Sequence, residues 1–356
     1  MAIVQHLIVD EFGVHIGKHS ERLQVMRIGE GTPSERMVQQ APLLHLQTVV
    51  VSGRGVSVSA DAIEACTERG IPIFFLDSLG RPYAALYSAG LTGTVLTRRA
   101  QLAALASDLD SEIYGRRGVA VALAFAGGKI RNQANLLRYM GKYRKQADPV
   151  LYQEIERRAA QVLDHLAKLK KLEGAARVDD IRFELLGVEG RAAQRYWSAI
   201  KQILPPEYGW PGRKGRGARD AVNSALNYGY GVLYSQVERA IVLAGLDPYG
   251  GFIHVDRPGK PSLVLDLIEE FRQAIVDRTV LGLANKGVRL EQDERGLLEK
   301  ETRRKIADKV LQRLEAPARY EKRRLPLRAI LQSQARHLAT FLRGEREQYE
   351  PFVASW

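Results

Sequence analysis

Cysteine and long apolar runs are nearly missing from this sequence of 356 residues. Cys66 is the only cysteine, which excludes an intrachain disulfide and a zinc site built from several thiolates. A single thiol is typical of a protein from a reducing compartment. The best apolar run, from Val119 to Ala126, is far shorter than the ~20 residues that span a bilayer. We therefore expect a cytoplasmic protein without a membrane segment.

Several motifs of large enzyme classes are also missing from the sequence. No G-x-x-x-x-G-K-[ST] loop is present, nor a G-x-S-x-G turn, an H-E-x-x-H pair or a dinucleotide fingerprint that opens a βαβ unit. These absences argue against P-loop ATPases, serine hydrolases of the α/β type and zinc proteases of the H-E-x-x-H type.

Positive charge is what the sequence has in excess. It contains 53 Lys and Arg against 41 Asp and Glu, a formal net charge of +12. A field of this sign favours a polyanionic partner, with nucleic acid the first expectation and an anionic membrane surface the second.

The residue pattern of the chain changes near Leu91, and this change predicts an α+β fold. Before that point, β-branched runs separated by glycine turns predict short strands and one helix over Ala60–Arg69. From Thr97 onward helical periodicity dominates, with a break expected near Gly187. The sequence thus predicts a small β-rich N-terminal domain over residues 1–92 and a large all-α domain over residues 97–345. The predicted helices of the second domain are Arg98–Ile113, Val119–Met140, Pro149–Leu172, Val178–Leu204, Arg219–Ala244, Leu263–Leu283, Leu297–Leu314 and Leu327–Leu342.

An acidic stripe follows the loop that contains His254. Ser262 is a suitable N-cap for the helix that comes next. Helical spacing then places several polar side chains opposite the apolar stripe: Asp266, Glu269, Glu270, Gln273 and Asp277. A solvated acidic face is the simpler interpretation of this helix. With an imidazole just upstream, the alternative is a site for Mn²⁺, Mg²⁺ or Zn²⁺, and the periodicity does not choose among the carboxylates.

Glu189 is a second candidate because glycines stand close to it on both sides. Gly187 and Gly190 flank this carboxylate at an expected helix start. An acid at a positive helix end is favourable by roughly 0.3–1 kcal/mol, which is the simpler interpretation. Glycines weaken a helix, however, so their presence also fits a site where backbone or ligand must approach closely.

A basic loop precedes the Tyr-rich helix of the second domain. Its cations, without a single acid among them, are Arg213, Lys214, Arg216 and Arg219. Glycine spacing prevents them from forming a helical face, and Trp210 adjoins them. Each short basic run is more often a solvated surface than a contact, but together with the net charge they predict binding to phosphates.

Three segments together resemble the CRISPR-associated adaptation integrase family, the "Cas-one" endonucleases. They are GVEGRAAQRYW, GLDPYGGFIH and SLVLDLIEEFR. Further segments across nearly the whole chain are similar to the family, among them LIVDEFGVHIGK, GKIRNQANLLR and VNSALNYGYGVLYS. The resemblance implies a β-rich dimerisation domain followed by a helical catalytic domain, in agreement with the periodicity.

The resemblance also implies a site and partners. The metal ligands of the family fall on Glu189, His254 and Glu269, and a second acid of the family falls one turn earlier on Asp266. Because Glu270 is adjacent to Glu269, the resemblance leaves open which acid of this helix binds the metal. The implied cofactor is Mg²⁺ or Mn²⁺. The implied partners are double-stranded DNA (a short incoming piece and the CRISPR repeat), a second copy of the chain in a homodimer, and a small dimeric adaptation partner, "Cas-two".

The activity implied is transesterification, in which the 3′-OH of incoming DNA attacks the repeat; attack by water instead makes the same site an endonuclease. Two alternatives remain open at this point. One is a DNA-binding adaptation scaffold without catalysis, and the other is a structure-selective nuclease of DNA repair.

Overall fold

The computed structural model describes residues 4–29, 32–88, 95–105, 112–215 and 217–356. Its first part is built of short strands. They are β1 (His6–Val9), β2 (Val14–His19), β3 (Arg22–Arg27), β4 (Met37–Pro42), β5 (Thr48–Val51), β6 (Ser57–Val58), β7 (Ile73–Leu76) and β8 (Pro82–Leu86), with helices α1 (Pro33–Arg36) and α2 (Ala60–Glu68) between them. This arrangement confirms the predicted β-rich start, although β4 was not predicted.

The strands form two sheets. One has the order β1-β5-β7-β8, in which β1, β5 and β7 are parallel and β8 pairs back antiparallel to β7. The other has the order β4-β3-β2-β6. Strand β5, between β1 and β7, is buried on both faces, which is why Thr48–Val51 is a continuous buried run with three valines rather than an alternating one.

The two faces of the first sheet belong to different cores. Leu7 and Val49 point into the core shared with the second sheet and α2, where Cys66 is also buried. Ile8, Val50 and Leu76 join the core of the helical part instead. The sheet is therefore the layer that joins the strands to the helices.

Helices make up most of the second part, as predicted. They are α3 (Val95–Leu105), α4 (Glu112–Gly141), α5 (Pro149–Leu163), α6 (Leu166–Lys170), α7 (Val178–Ile203), α8 (Ala221–Leu243), α9 (Ser262–Leu267), α10 (Arg278–Asn285), α11 (Lys300–Leu314) and α12 (Leu327–Arg343). The predicted helix Arg98–Ile113 crosses residues 106–111, which lie outside the described ranges. A hairpin of β9 (Pro317–Tyr320) and β10 (Arg323–Pro326) was not predicted.

The predicted break near Gly187 is wrong. Helix α7 runs unbroken from Val178 to Ile203, and Glu189 lies in its middle rather than at a helix start. Buried side chains such as Leu185, Val188 and Ala192 pack along this helix, and tertiary packing of this kind outweighs the roughly 1 kcal/mol that each glycine costs.

The predicted helix over Leu263–Leu283 changes its winding along its length. Helix α9 gives way to a 3₁₀ turn over Ile268–Glu270 and to a π-helical segment over Gln273–Asp277. Ser262 is the first helical residue rather than the N-cap, and its hydroxyl donates to the carbonyl of Val255 at 3.1 Å. Irregular windings of this kind occur frequently at functional sites.

Across the described ranges, no helix combines the length and apolar character needed to cross a membrane.

Candidate active site

Three elements meet at the ammonium group of Lys129. Lys129 lies on α4, Glu189 on α7 and Glu269 on the 3₁₀ turn. The Nζ of Lys129 donates to Glu189 Oε1 and lies 2.9 Å from Glu269 Oε2. Both carboxylates are buried, Glu189 at 9% and Glu269 at 2% exposure. The fold thus brings together two acids that are eighty residues apart in sequence.

Glu269 has a second cationic partner, Arg272, whose Nη1 donates to its Oε1 at 2.8 Å. Burial alone would raise the pKa of Glu269, but Arg272, Lys129 and His254 together hold it below its ordinary value. For Lys129, burial acts to lower the pKa, and the two carboxylates outweigh it and raise the pKa. The ionised forms of Glu269 and Lys129 are therefore favoured.

His254 is held by Asp266 and not directly by the other two acids. Its Nδ1–H donates to Asp266 Oδ1 at 2.6 Å. The fully buried Asp266 carboxylate also accepts the backbone N–H groups of Phe252, Ile253 (2.9 Å) and His254 (3.1 Å). Gly251 permits the backbone to pass this close to the helix that carries Asp266, because a Cβ at position 251 would lie 2.4 Å from the Cβ of Ser262.

Glu270 points away from this cluster. It accepts hydrogen bonds from Tyr349 Oη (2.6 Å), Gln334 Nε2 (2.8 Å) and the backbone N–H of Phe352 (2.8 Å). Burial raises its pKa to about 7, although these hydrogen bonds oppose the rise. Glu270 therefore serves the packing of the C-terminal segment, residues 345–356, and not the Lys129 cluster.

The simpler interpretation of the acidic stripe, a solvated face, is wrong. Asp266, Glu269, Glu270, Gln273 and Asp277 are all buried. Asp277 accepts hydrogen bonds from the hydroxyls of Tyr196 (2.7 Å) and Tyr230. Burial raises its pKa to about 6. The stripe lies inside the protein because α4, α8 and the C-terminal segment cover both sides of this helix.

A small cavity of 220 Å³ opens beside Lys129. Its lining residues are Lys129, Gln133, Trp197, Arg213, Gly215, Tyr230, Arg272 and Gln273. Several buried polar atoms in or next to it have no hydrogen-bond partner among the described residues: Gln133 Oε1, Gln273 Oε1, Arg272 Nε and Glu189 Oε2. Buried polar groups are nearly always paired, so this concentration is typical of a site that receives a ligand.

Comparison with known proteins gives the family. The sequence profile of the family described as "CRISPR associated protein Cas1" matches residues 7–312. The chain belongs to the Cas1 family. A CRISPR-associated endonuclease Cas1 of Archaeoglobus fulgidus is 36% identical, with 98% of this chain and 99% of that protein covered.

Two solved structures support the same fold. A casposase bound to integration product has a TM-score of 0.77 at 23% identity, covering 98% of this chain and 93% of that one. A Cas6-RT-Cas1–Cas2 complex has a TM-score of 0.72 at 22% identity, covering 99% of this chain and 37% of that one. The strand-rich first part and helical second part are thus the Cas1 fold.

Not all of the ligands expected from the Cas1 resemblance converge in the structure. Within the described ranges, no three His, Cys, Asp or Glu side chains form a group that could hold a metal ion. Glu189 and Glu269 do meet at one point, and His254 lies close enough to lower the pKa of Glu269. The unpartnered Glu189 Oε2 and the free Nε2 of His254 fit an oxygen-and-nitrogen ligand set for Mg²⁺ or Mn²⁺.

The basic loop lies against this site in part. Arg213 donates to Asn227 Oδ1 at 2.7 Å and to Asn223 Oδ1 at 3.1 Å. Its guanidinium lies 5.4 Å from the ring centre of Tyr230 and lines the small cavity. The side chains of Lys214 and Arg219 are exposed on the same loop. Arg216 lies outside the described residues, so the structure says nothing of its predicted role.

Sequence reasoning assigned no role to Lys129 or Arg272. A signal for Lys129 was present, because this lysine continues the apolar stripe of α4 that contains Ala122, Phe125 and Ala126. A lysine on the buried stripe of a helix is rarely found without an acidic partner. That observation alone predicts a buried carboxylate nearby, though not which one.

Proposed function

We propose that this Cas1 family member is a divalent-metal-dependent DNA integrase and endonuclease that inserts short DNA into a CRISPR repeat. The meeting of Glu189 and Glu269 at the Lys129 ammonium, beside a cavity with unpartnered polar groups, is the observation that carries the proposal. The names of similar proteins, an endonuclease Cas1 and a casposase bound to integration product, support it.

Glu189, Glu269 and His254 would hold the metal ion. When bound, Mg²⁺ or Mn²⁺ supplies a Lewis acid that activates the attacking oxygen and stabilises the leaving one. Asp266 orients the imidazole by accepting its Nδ1–H, which leaves Nε2 for the metal. Arg213, Arg272 and Lys129 line the cavity and hold the phosphates of the DNA there by charge-assisted hydrogen bonds.

The attacking group in integration is the 3′-OH of the incoming strand, so the protein needs no nucleophile of its own. The bond between phosphorus and the 3′ oxygen of the repeat breaks as the new phosphodiester forms. The similarity to a complex described as Cas6-RT-Cas1–Cas2 supports a Cas2-type partner, and we propose a homodimer for the chain itself.

A strand-transfer assay in Mn²⁺ tests the proposal, with a short duplex as donor and a repeat-bearing plasmid as target. We expect Glu189→Ala and His254→Ala to reduce transfer roughly 100-fold or more, and Asp266→Asn to reduce it roughly 10- to 100-fold. Glu64→Ala and His19→Ala, both at exposed positions, are the matched controls.

Unchanged transfer in both ligand variants would overturn the assignment of the site. No transfer by the unaltered protein, with DNA binding intact, would favour the inactive scaffold. Equal cleavage of branched junctions, without preference for the repeat, would favour a repair nuclease.

A further inference from the structure

A second cavity, which Lys129 does not line, has more cations than any other kind of residue in its wall. It measures 560 Å³ and lies between the β9–β10 hairpin, α11 and the end of the C-terminal segment. Its basic residues are Arg278, Arg313, Arg319, Lys322, Arg323 and Arg324, and among the described residues no Asp or Glu side chain lines it. We call this the hairpin cavity. Arg278 is nine residues beyond Glu269 in the sequence.

The cations of the hairpin cavity lack acidic partners. Among the described residues, none of the six makes an ion pair with a carboxylate. Arg319 and Arg324 face each other across the two strands, and like charges in this position are destabilising. Burial, and then the charge of Arg278, lowers the pKa of Arg313 to about 10. An anionic ligand would relieve this repulsion.

The hairpin that presents these groups has a defined turn. Glu321 and Lys322 have positive φ values of 44° and 64°, as the two central residues of a type I′ turn require. Glu321 itself points to the other side, where it accepts from Arg346 at 3.1 Å. Glu321 therefore pairs with Arg346 and does not neutralise the cations that line the hairpin cavity.

A neighbouring cavity of 670 Å³ supplies apolar and aromatic walls. Arg278 lines both cavities, and the ring of Trp356 lies 5.2 Å from that of Tyr139 between them. Tyr143, 70% exposed, lines this 670 Å³ cavity together with Met140. The other lining residues include Ile203, Leu204, Pro205, Pro206, Arg144 and Lys286, again without an acid.

Cations along one stretch and exposed aromatic rings along the next are what an unpaired nucleic-acid strand requires, since phosphates need charge and unstacked bases need flat apolar surfaces. A duplex hides its bases and would use only the cations. We propose that the two cavities form one groove that binds an unpaired stretch of DNA, with phosphates at the hairpin and bases at Tyr143 and Trp356. The choice of DNA rests on the proposed function.

The test measures binding of a labelled 15-nucleotide oligothymidylate by fluorescence anisotropy, in EDTA so that metal plays no part. We expect the Arg319→Ser/Arg324→Ser double variant to bind at least tenfold more weakly. The slope of log K against log salt should flatten by about 1.4, because each of the two arginines neutralises one phosphate of the strand. Tyr143→Ala should weaken binding at least fivefold, as expected when one base can no longer stack.

Lys168→Ser/Lys171→Ser, which removes two exposed positive charges elsewhere, is the matched control and should change affinity less than twofold. An equal loss in this control, or an unchanged salt slope in the hairpin variant, would overturn the proposal. A loss of the same size for a blunt duplex would also overturn it, because the groove would then bind paired DNA. Oligothymidylate binding in EDTA and strand transfer in Mn²⁺ are measured separately on the unaltered protein, so failure of the proposed integrase activity is distinguished from failure of the groove; thermal unfolding confirms that each variant is folded.

Discussion

Lys129 holds the two carboxylates of the site in place. Two ionised acids at this separation would repel each other in a buried environment, and the ammonium between them offsets that repulsion. A divalent cation could take over the same electrostatic role. The stability of the metal-free protein should therefore depend on Lys129 more than on any exposed lysine.

Replacing Lys129 with Met tests this dependence. We expect Lys129→Met to lower the free energy of unfolding by roughly 3–5 kcal/mol in EDTA, because it leaves the buried Glu189 carboxylate without its ammonium partner and Glu269 with Arg272 alone. Urea denaturation measures the change, and Mn²⁺ should restore more stability to the variant than to the unaltered protein. Lys168→Met, at an exposed position, should stay within about 0.5 kcal/mol. Equal midpoints for both variants would contradict this role of Lys129.

Asp277 gives the protein a pH dependence. Because burial raises its pKa from 3.8 to about 6, the folded protein keeps the proton where the unfolded chain has lost it. The free energy of unfolding should therefore fall as pH rises from about 4 to about 7, by about 3 kcal/mol from this group. Asp277→Asn removes this titrating group, so the free energy of unfolding of the variant should decline less over that pH range. If chemical denaturation gives parallel pH profiles for the variant and the unaltered protein, Asp277 is not the source of the pH dependence.

Only part of the site could be predicted from the sequence at this scale. Helical periodicity placed Asp266, Glu269 and Glu270 equally on one stripe, yet the structure gives each a different partner. The change from α to 3₁₀ winding separates them: Asp266 faces the His254 loop, Glu269 faces Lys129 and Glu270 faces the C-terminal segment. No local pattern predicts such a change, since long-range packing imposes it.

At the scale of elements, the C-terminal segment supports the turn that carries Glu269. The ring of Phe352 stacks on Phe271 with centres 5.2 Å apart and planes 13° from parallel. Asn132 of α4 donates to the carbonyls of Phe352 (2.8 Å) and Glu270 (2.9 Å). The segment therefore ties α4 to the turn that carries Glu269.

Phe352→Ala tests this support. Loss of a fully buried ring should lower the free energy of unfolding by about 3–5 kcal/mol, and strand transfer should fall as the Glu269 turn loosens. Ser355→Ala, an exposed change three residues on, should have little effect on either. Urea midpoints and transfer rates measured on the same preparations check both parts; a stable variant with full transfer would show that the segment does not position Glu269.

The helix and strand pattern was largely predictable, because buried stripes recur with clear periods along most elements. The unbroken α7 and the β9–β10 hairpin were not predicted, for different reasons. Packing outweighed two glycines in α7, whereas each hairpin strand has only four residues and mixes arginine with proline and a few apolar residues. Strands this short give a periodicity pattern almost no signal.

At the scale of the whole molecule, the strand-rich and helical parts meet at a close backbone contact. A Cβ on Gly231 of α8 would lie 1.6 Å from the carbonyl oxygen of Gly80, in the turn between β7 and β8. Gly80 itself, with a φ of 79°, lies against Tyr228. The sequence predicts a strand-rich part and a helical part, but the glycine pair that lets the two parts approach is visible only in the structure.

Gly231→Ala should therefore weaken the packing of the strand-rich part against the helical part. We expect a loss of about 1–3 kcal/mol or more in unfolding free energy, with faster proteolysis between the strand-rich and helical parts. Gly282→Ala, also in a helix but with nothing within 4 Å of the added Cβ, should be neutral or stabilising by up to about 1 kcal/mol. Equal effects of the two substitutions on thermal and urea unfolding would contradict the close contact.

The proposed metal site is tested most directly by diffraction from crystals soaked in Mn²⁺, with data collected for its anomalous signal. We predict one strong peak within coordinating distance, about 2.0–2.3 Å, of carboxylate oxygens of Glu189 and Glu269 and of Nε2 of His254. A peak bound by Asp266 or Glu270 instead, or no peak between Glu189 and Glu269 at saturating Mn²⁺, would contradict it.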